Sequence, residues 1–257
     1  MLPIDKIICG DNVTVMSTFP DACIDLVVTS PPYDNLRTYG GHSWDFEGVA
    51  QQLWRIIKPG GVVVWVVADA TIDGSETGTS FRQALRFMEI GFRLHDTMVY
   101  STNKPPANTV LRYQPMFEFM FVLSHGTPSA FNPIMEPCTY AHVGTSPTQR
   151  NADGNLVGSG RRTIRAHKVK GNIWHYATGS GKCETKTHPA AFPEGLARDQ
   201  IMSWSNDGEV VLDPFAGSFT TCKVARLLGR RYIGIEINEA YFEIGKNRMA
   251  QRVLDFV

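Results

Sequence analysis

No run of about eighteen uninterrupted apolar residues occurs in the sequence, and residues 1–11 lack a basic start followed by a long apolar block. Neither a membrane span nor a signal peptide is therefore expected, and a cytoplasmic protein is. Cysteine is sparse: Cys9, Cys23, Cys138, Cys183 and Cys222 are scattered, odd in number and free of any C-x-x-C pair. That excludes a disulfide framework and a structural zinc site and fits reduced thiols. The seven histidines form no H-E-x-x-H pattern, so no metal site is expected. An excess of one charge is also lacking: 25 basic against 25 acidic residues give a formal net charge of zero, which rules out a polycationic or polyacidic tail but not a local basic patch. There is no G-x-x-x-x-G-K-[ST] loop, the glycine spacing fails the dinucleotide fingerprint, and no internal repeat is visible.

What is present is core material, with 43% of 257 residues apolar and 11% aromatic. Apolar runs predict strands over Lys6 to Cys9, Ile24 to Thr29, Gly61 to Ala68, Leu94 to Ser101, Met116 to Ser124, Glu209 to Phe215 and Tyr232 to Ile237. The runs Asp25 to Val28 and Val62 to Val67 are continuous rather than alternating, as in central strands covered on both faces of a parallel sheet. Helical spacing over Gly48 to Lys58, Thr79 to Ile90, Thr220 to Leu228 and Asn238 to Leu254 supplies the covering layers. The expectation is an α/β chain with a mixed, mostly parallel sheet and helices on both faces.

Between residues 126 and 186 this periodicity collapses. From Ala141 onward Arg150, Arg161, Arg162, Arg165, Lys168, Lys170, Lys182 and Lys186 face only Asp153 and Glu184, with His167, Trp174, His175 and Tyr176 interleaved. The bland reading is a solvated loop; cations interleaved with aromatic rings are also what a nucleic-acid surface carries.

Two motifs carry chemistry. Thr29-Ser30-Pro31-Pro32-Tyr33 directly follows a buried-strand pattern. Its two prolines fix two φ angles and remove two donors, which makes a stiff loop rich in acceptors. The Ser30 hydroxyl and a neighbouring carbonyl can accept from an amino group, and Tyr33 offers a face to a planar base. A proline-stiffened turn with Tyr33 packed on the core is the alternative. The second motif is Asp213-Pro214-Phe215-Ala216-Gly217-Ser218, a strand running into a small-residue turn before a helix. Nineteen positions after Gly217, Glu236 ends the next strand pattern, an offset at which acidic residues accept from ribose hydroxyls in doubly wound nucleotide sites. This points to a nucleoside ligand; a tight turn beside a chance acidic strand end is the rival.

In this order, with a basic insert between them, the motifs resemble those of the S-adenosylmethionine-dependent DNA amino-methyltransferases, and within them the β group, where the catalytic half precedes the target-recognition region and the cofactor half comes last. Gly10-Asp11, Lys58-Pro59-Gly60-Gly61, Glu118 to Ser124 and His188-Pro189-Ala190-Ala191-Phe192-Pro193 match further segments, so the likeness spans nearly the whole chain. It implies a Rossmann-like methyltransferase fold with a catalytic half over 1–125, a target-recognition insert over 126–186 and a cofactor half over 187–257. It implies methyl transfer to cytosine N4 or adenine N6 of a base flipped out of double-stranded DNA, as an extruded base alone can reach a buried methyl donor. Ser30, Pro31, Pro32 and Tyr33 would be catalytic. Asp11, Thr29, His188, Phe192, Asp213, Pro214, Phe215, Ala216, Gly217, Ser218 and Glu236 would hold S-adenosylmethionine. Arg37, in a flap over 34–41, would meet DNA with Arg150, Arg161, Arg162, Arg165, Lys168 and Lys170. The resemblance admits a homodimer, and either a cognate restriction endonuclease or none.

One position departs from the family, which usually continues Gly-Ser-Gly-Thr-Thr where this chain has Gly217-Ser218-Phe219-Thr220-Thr221. Phe219 either points into the helix-sheet interface or obstructs the cofactor pocket, leaving a weakened DNA-binding protein of the same fold. Covalent catalysis at cytosine carbon 5 by Cys138, in its Pro137-Cys138 dipeptide, is disfavoured because Cys138 does not follow a buried strand.

Overall fold

The valine-rich runs become the middle of one eight-stranded sheet. In the computed structural model, residues 1–33, 43–102, 111–145, 147–158, 160, 162–176 and 193–250 are described. The strands are β1 (Lys6–Cys9), β2 (Ile24–Thr29), β3 (Ile57–Val67), β4 (Arg93–Thr102), β5 (Phe117–Ser124), β6 (Ile173–Tyr176), β7 (Val210–Asp213) and β8 (Arg231–Glu236). Their spatial order is β1-β8-β7-β2-β3-β5-β4-β6. All neighbours run parallel except β5, which is antiparallel to both β3 and β4. The carboxyl ends of β1, β8, β7, β2 and β3 and the amino end of β5 therefore share one edge of the sheet, and the motif loops emerge there.

The helices are α1 (Asn12–Ser17), α2 (Phe46–Ile56), α3 (Thr79–Ile90), α4 (Glu194–Trp204), α5 (Thr220–Leu227) and α6 (Glu239–Ala250). Successive strand residues point to opposite faces, and β3 shows both faces covered. Val63, Trp65 and Val67 join a core with Met16 of α1, Leu53 of α2 and Phe87 of α3. Val62, Val64 and Val66 point the other way and are equally buried; Met120, the partner of Val66 on β5, meets the Gln200 amide of α4. Trp65 is fully buried and keeps its indole N–H satisfied by Gln83 at 2.9 Å, so it adds apolar contact without an orphaned donor.

Of the elements that were not expected, three belong to the main sheet or its covering layers. Helix α1 is short and is capped by Asp11, whose carboxylate accepts from the Thr14 amide. Helix α4 lacks an apolar stripe because it is buried on most sides, Asp199, Gln200 and Ser203 included. Strand β6 extends the sheet edge, so Trp174, 5% exposed, and Tyr176, which donates to Asp199 at 2.7 Å, belong to the sheet rather than to a basic surface.

The chain divides into a larger unit, residues 1–132 with 172–257, and a smaller one, Pro133–Gly171, narrower than the insert expected over 126–186. The smaller unit consists of nested antiparallel ladders. Met135–Pro137 pairs with His167–Val169, Gly144–Thr145 with Arg162–Thr163, and Thr148–Arg150 with Leu156–Gly158. They follow one another as an interrupted two-stranded β-ribbon of three short ladders, closed by a turn in which the Asn151 side chain accepts from the Asp153 and Asn155 amides. Among the described residues, no helix is long and apolar enough to cross a membrane and no cluster of ligating side chains could hold a metal.

Candidate functional site

The carboxyl ends of β2 and β7, from which the two motif loops leave, are tied together although 184 residues separate Thr29 from Asp213. Thr29 Oγ1 donates to Asp213 Oδ1 at 2.7 Å, and Thr221 Oγ1 of α5 donates to the Val28 carbonyl at 3.1 Å. Asn12, which the motif reading passed over, donates from Nδ2 to the Pro214 carbonyl at 3.1 Å and so fastens the start of α1 to the same turn. Ser30, Phe215 and Glu236 follow or end three neighbouring parallel strands, and thus rise from a single edge of the sheet.

On the β2 side, Ser30, Pro32 and Tyr33 are half-buried and Pro31 is buried. The Tyr33 hydroxyl donates to Glu118 Oε2 at 2.8 Å and lies 2.7 Å from Ser30 Oγ. The ring also packs on the core. Glu118 is a further side chain of the candidate site to which the motifs gave no role, although one signal was visible: it is the single charge in the apolar run Met116 to Ser124.

On the β7 side, Glu236 Oε2 accepts from the Gly217 amide and Oε1 from the Asn238 amide, each at 2.8 Å. Phe215 is half-buried, with its ring edge-on to Trp44 at 5.0 Å. The rest of the motif forms the floor of the site rather than its surface. Thr29, Asp213 and Ser218 are almost wholly inaccessible, and Ser218 is held by the buried guanidinium of Arg248 through both its carbonyl and its hydroxyl at 3.1 Å. Asp11 is exposed and spends one oxygen on the α1 cap.

Burial pushes the Asp213 carboxyl up to about 6, against hydrogen bonds from Thr29, Thr221 and the Phe215 amide that pull it down; the negative charge of Glu236 adds to the rise. The folded chain then binds more protons here than the unfolded chain between 3.8 and about 6. The contribution of Asp213 to stability is therefore full below about pH 4 and is lost as pH rises through about 6, a loss of about 3 kcal/mol. Denaturant titrations of wild type and Asp213→Asn should show the variant gaining relative stability across that interval. A pH-independent difference would contradict the assignment.

Phe219 resolves the departure from the family pattern. It adopts φ 58°, ψ 35° and is fully buried in a cluster with Ala216, Cys222 and Met249, edge-on to Phe242 of α6. Space for the ring exists because positions 234 and 245 are glycine: a Cβ there would come within 2.6 Å and 1.9 Å of it. The ring thus fills the interface between α5, α6 and β8, the first of the two alternatives for this position, and the alternative of a pocket obstructed by Phe219 is not supported.

In the small unit, Arg150, Arg162, Arg165 and Lys168 are exposed and Lys170 is half-buried. Lys168 pairs with Glu136 at 3.0 Å, and Arg150 donates to the Gly154 carbonyl. Cys138 lies on the flank of this ribbon, its amide donating to the Ala166 carbonyl. Arg37, Arg161, His188 and Phe192 lie outside the described residues, as does the flap over 34–41.

Residues 24–247 match the model of a protein family described as DNA methylase. The chain is 46% identical over 242 residues, 91% of each protein, to the orphan methyltransferase M.BamHII of Bacillus amyloliquefaciens. Among solved structures it resembles the PvuII DNA methyltransferase, described as cytosine-N4-specific, with a TM-score of 0.72, 20% identity and coverage of 97% of this chain and 87% of that one. It also resembles M1.HpyAVI in complex with SAM, with a TM-score of 0.63, 22% identity and coverage of 95% and 98%.

Proposed function

We propose that this chain, which belongs to the DNA methylase family, transfers the methyl group of S-adenosylmethionine to the exocyclic amino nitrogen, cytosine N4 or adenine N6, of a base turned out of double-stranded DNA. The observation that carries this reading is the Thr29–Asp213 hydrogen bond, which joins the acceptor-lined loop of β2 to the nucleoside-type turn of β7 on one sheet edge.

The donor set suits the cofactor. A carboxylate has roughly four acceptor positions, so a Glu236 that holds two backbone amides can also accept from ribose hydroxyls, and Phe215 beside Trp44 gives an apolar wall to an adenine ring. When bound, S-adenosylmethionine supplies a methyl group on a sulfonium, whose departure as a neutral thioether needs no protein nucleophile. The protein's work is positioning. Ser30 Oγ and the Pro31 carbonyl accept from the target NH2 and aim its lone pair at the methyl carbon, Tyr33 stacks on the base, and the two prolines hold the loop rigid; the methylated nitrogen then gives up one N–H proton to water, leaving the neutral methylamino base.

The ribbon of the small unit suits target recognition, because a two-stranded β-ribbon fits the major groove and this one carries Arg162 and Arg165 exposed. Replacing both with Ala should weaken DNA binding and reduce the slope of log affinity against log salt by about one per lost phosphate contact, with cofactor binding unchanged. An unaltered salt slope would remove them from the interface. Such a protein would act in the cytoplasm, where its DNA substrate is accessible.

The test is incubation of the purified chain with methyl-labelled S-adenosylmethionine and unmodified plasmid DNA, followed by digestion to nucleosides. Label in N4-methylcytosine or N6-methyladenine supports the reading and names the base. Label in 5-methylcytosine, or none, overturns it.

A further inference from the structure

At the edge where the Ser-Pro-Pro-Tyr loop emerges, the carboxylate of Glu118 is joined to that loop. It starts β5, the single antiparallel strand, whose amino end lies at the same edge as the carboxyl ends of β2 and β3. From there it accepts the Tyr33 hydroxyl at 2.8 Å, and Tyr33 in turn lies 2.7 Å from Ser30 Oγ.

Counting protons fixes the direction of this chain. A phenol has one O–H, and a carboxylate only accepts. With the Tyr33 proton directed at Glu118, Tyr33 Oη can only accept from Ser30, so the one proton of Ser30 lies on the line to Tyr33. What Ser30 Oγ turns toward the cleft is then lone pairs alone. An exocyclic NH2 has N–H groups to donate and a nitrogen lone pair that must stay available for the methyl carbon. A hydroxyl proton aimed at that nitrogen would occupy the attacking pair, so an undirected Ser30 would inhibit the step it serves. As the nitrogen attacks, positive charge grows on its N–H groups. An acceptor polarised through two hydrogen bonds by a carboxylate is matched to that growth, because charge-assisted bonds in chains reinforce one another.

We propose that Glu118 is a positioning residue for methyl transfer: through Tyr33 it turns the Ser30 proton away from the substrate, so that Ser30 meets the target amino group as a pure acceptor. This rests on the methyl-transfer reading and adds to it a residue that touches neither base nor cofactor.

The test uses the full chain as wild type, Glu118→Gln, Glu118→Leu, Tyr33→Phe and Tyr33→Phe/Glu118→Leu. Single-turnover methylation of plasmid DNA is measured alongside calorimetric binding of S-adenosylmethionine. Glu118→Leu is expected to slow transfer by about a hundredfold with cofactor affinity and KM for DNA little changed. Glu118→Gln should retain a large part of the rate, since an amide oxygen still accepts from Tyr33. In the Tyr33→Phe background, Glu118→Leu should cost nothing further, because the coupling between the two runs through one hydroxyl. In the free protein, a solvent-protected hydroxyl proton resonance should be present in wild type and Glu118→Gln and absent from Glu118→Leu and Tyr33→Phe. An unchanged rate in Glu118→Leu, additive losses in the double variant, or absence of the resonance from wild type overturns the inference while wild-type activity leaves the methyl-transfer reading standing. A wild-type chain that makes no methylated base overturns that reading first, and the inference with it.

Discussion

Ser30→Ala will slow methyl transfer by two to three orders of magnitude, roughly what loss of one preorganised polar partner of a developing charge costs, and will leave affinity for S-adenosylmethionine within a few-fold of wild type. The split follows from where the side chain stands. Ser30 is half-buried at the carboxyl end of β2, on the side of the site facing Tyr33 and Glu118. The carboxylate assigned to the ribose stands two strands away on β8, bonded to Gly217 and Asn238. Removing one hydroxyl leaves the Thr29–Asp213 bond and the two prolines in place, so the floor of the proposed cofactor site does not move. Rapid-quench transfer measurements with calorimetry check both halves. Loss of cofactor binding without a rate defect would reverse the two roles.

The second large effect concerns stability. Phe219→Ala should cost about 3–5 kcal/mol, as for other fully buried phenylalanines. Phe219→Gly should cost no more than that despite being smaller, since a φ of 58° suits glycine and strains every other residue. Gly245→Ala should destabilise wild type by about 1–3 kcal/mol, because its Cβ would lie 1.9 Å from the Phe219 ring. In the Phe219→Gly background the same substitution should become neutral or favourable, since alanine is worth about 1 kcal/mol over glycine within a helix. Urea titrations of the four chains decide this. Additive effects would mean that ring and glycines are not complementary parts.

Much of the sheet was legible because its strands are buried on both faces. Val62 to Val67 has no polar residue to interrupt it, and it lies in the middle of the sheet as expected. The run stopped short of the true start of β3 at Ile57, since Pro59-Gly60-Gly61 looks like a break when helix and strand in fact follow without a loop. Helix α4 was hidden for the opposite reason: Gln200 is buried between Met98, Met120 and Trp204, and a helix with polar residues inside shows no apolar stripe. Strand β6 is four residues in a polar stretch, and its aromatic rings read equally well as a surface.

The candidate site was legible as far as local motifs reach. Ser30, Tyr33 and Glu236 could be singled out because a proline pair and a glycine turn are local signals. Asn12, Glu118 and Arg248 act across 202, 85 and 30 residues of sequence, and such distances leave no spacing to read. Phe219 shows the limit in another form: whether it blocks a pocket or fills an interface depends on Gly234 and Gly245, whose service to one ring emerges only in three dimensions.

Everything proposed requires the two termini of the chain to build a single cleft. A crystal structure of the chain with S-adenosylmethionine tests this most directly. Ribose hydroxyls on Glu236, the adenine against Phe215 and the methyl carbon turned toward Ser30 are the predicted result; density for the ligand on any other surface, or with its methyl facing away from Ser30, would contradict it.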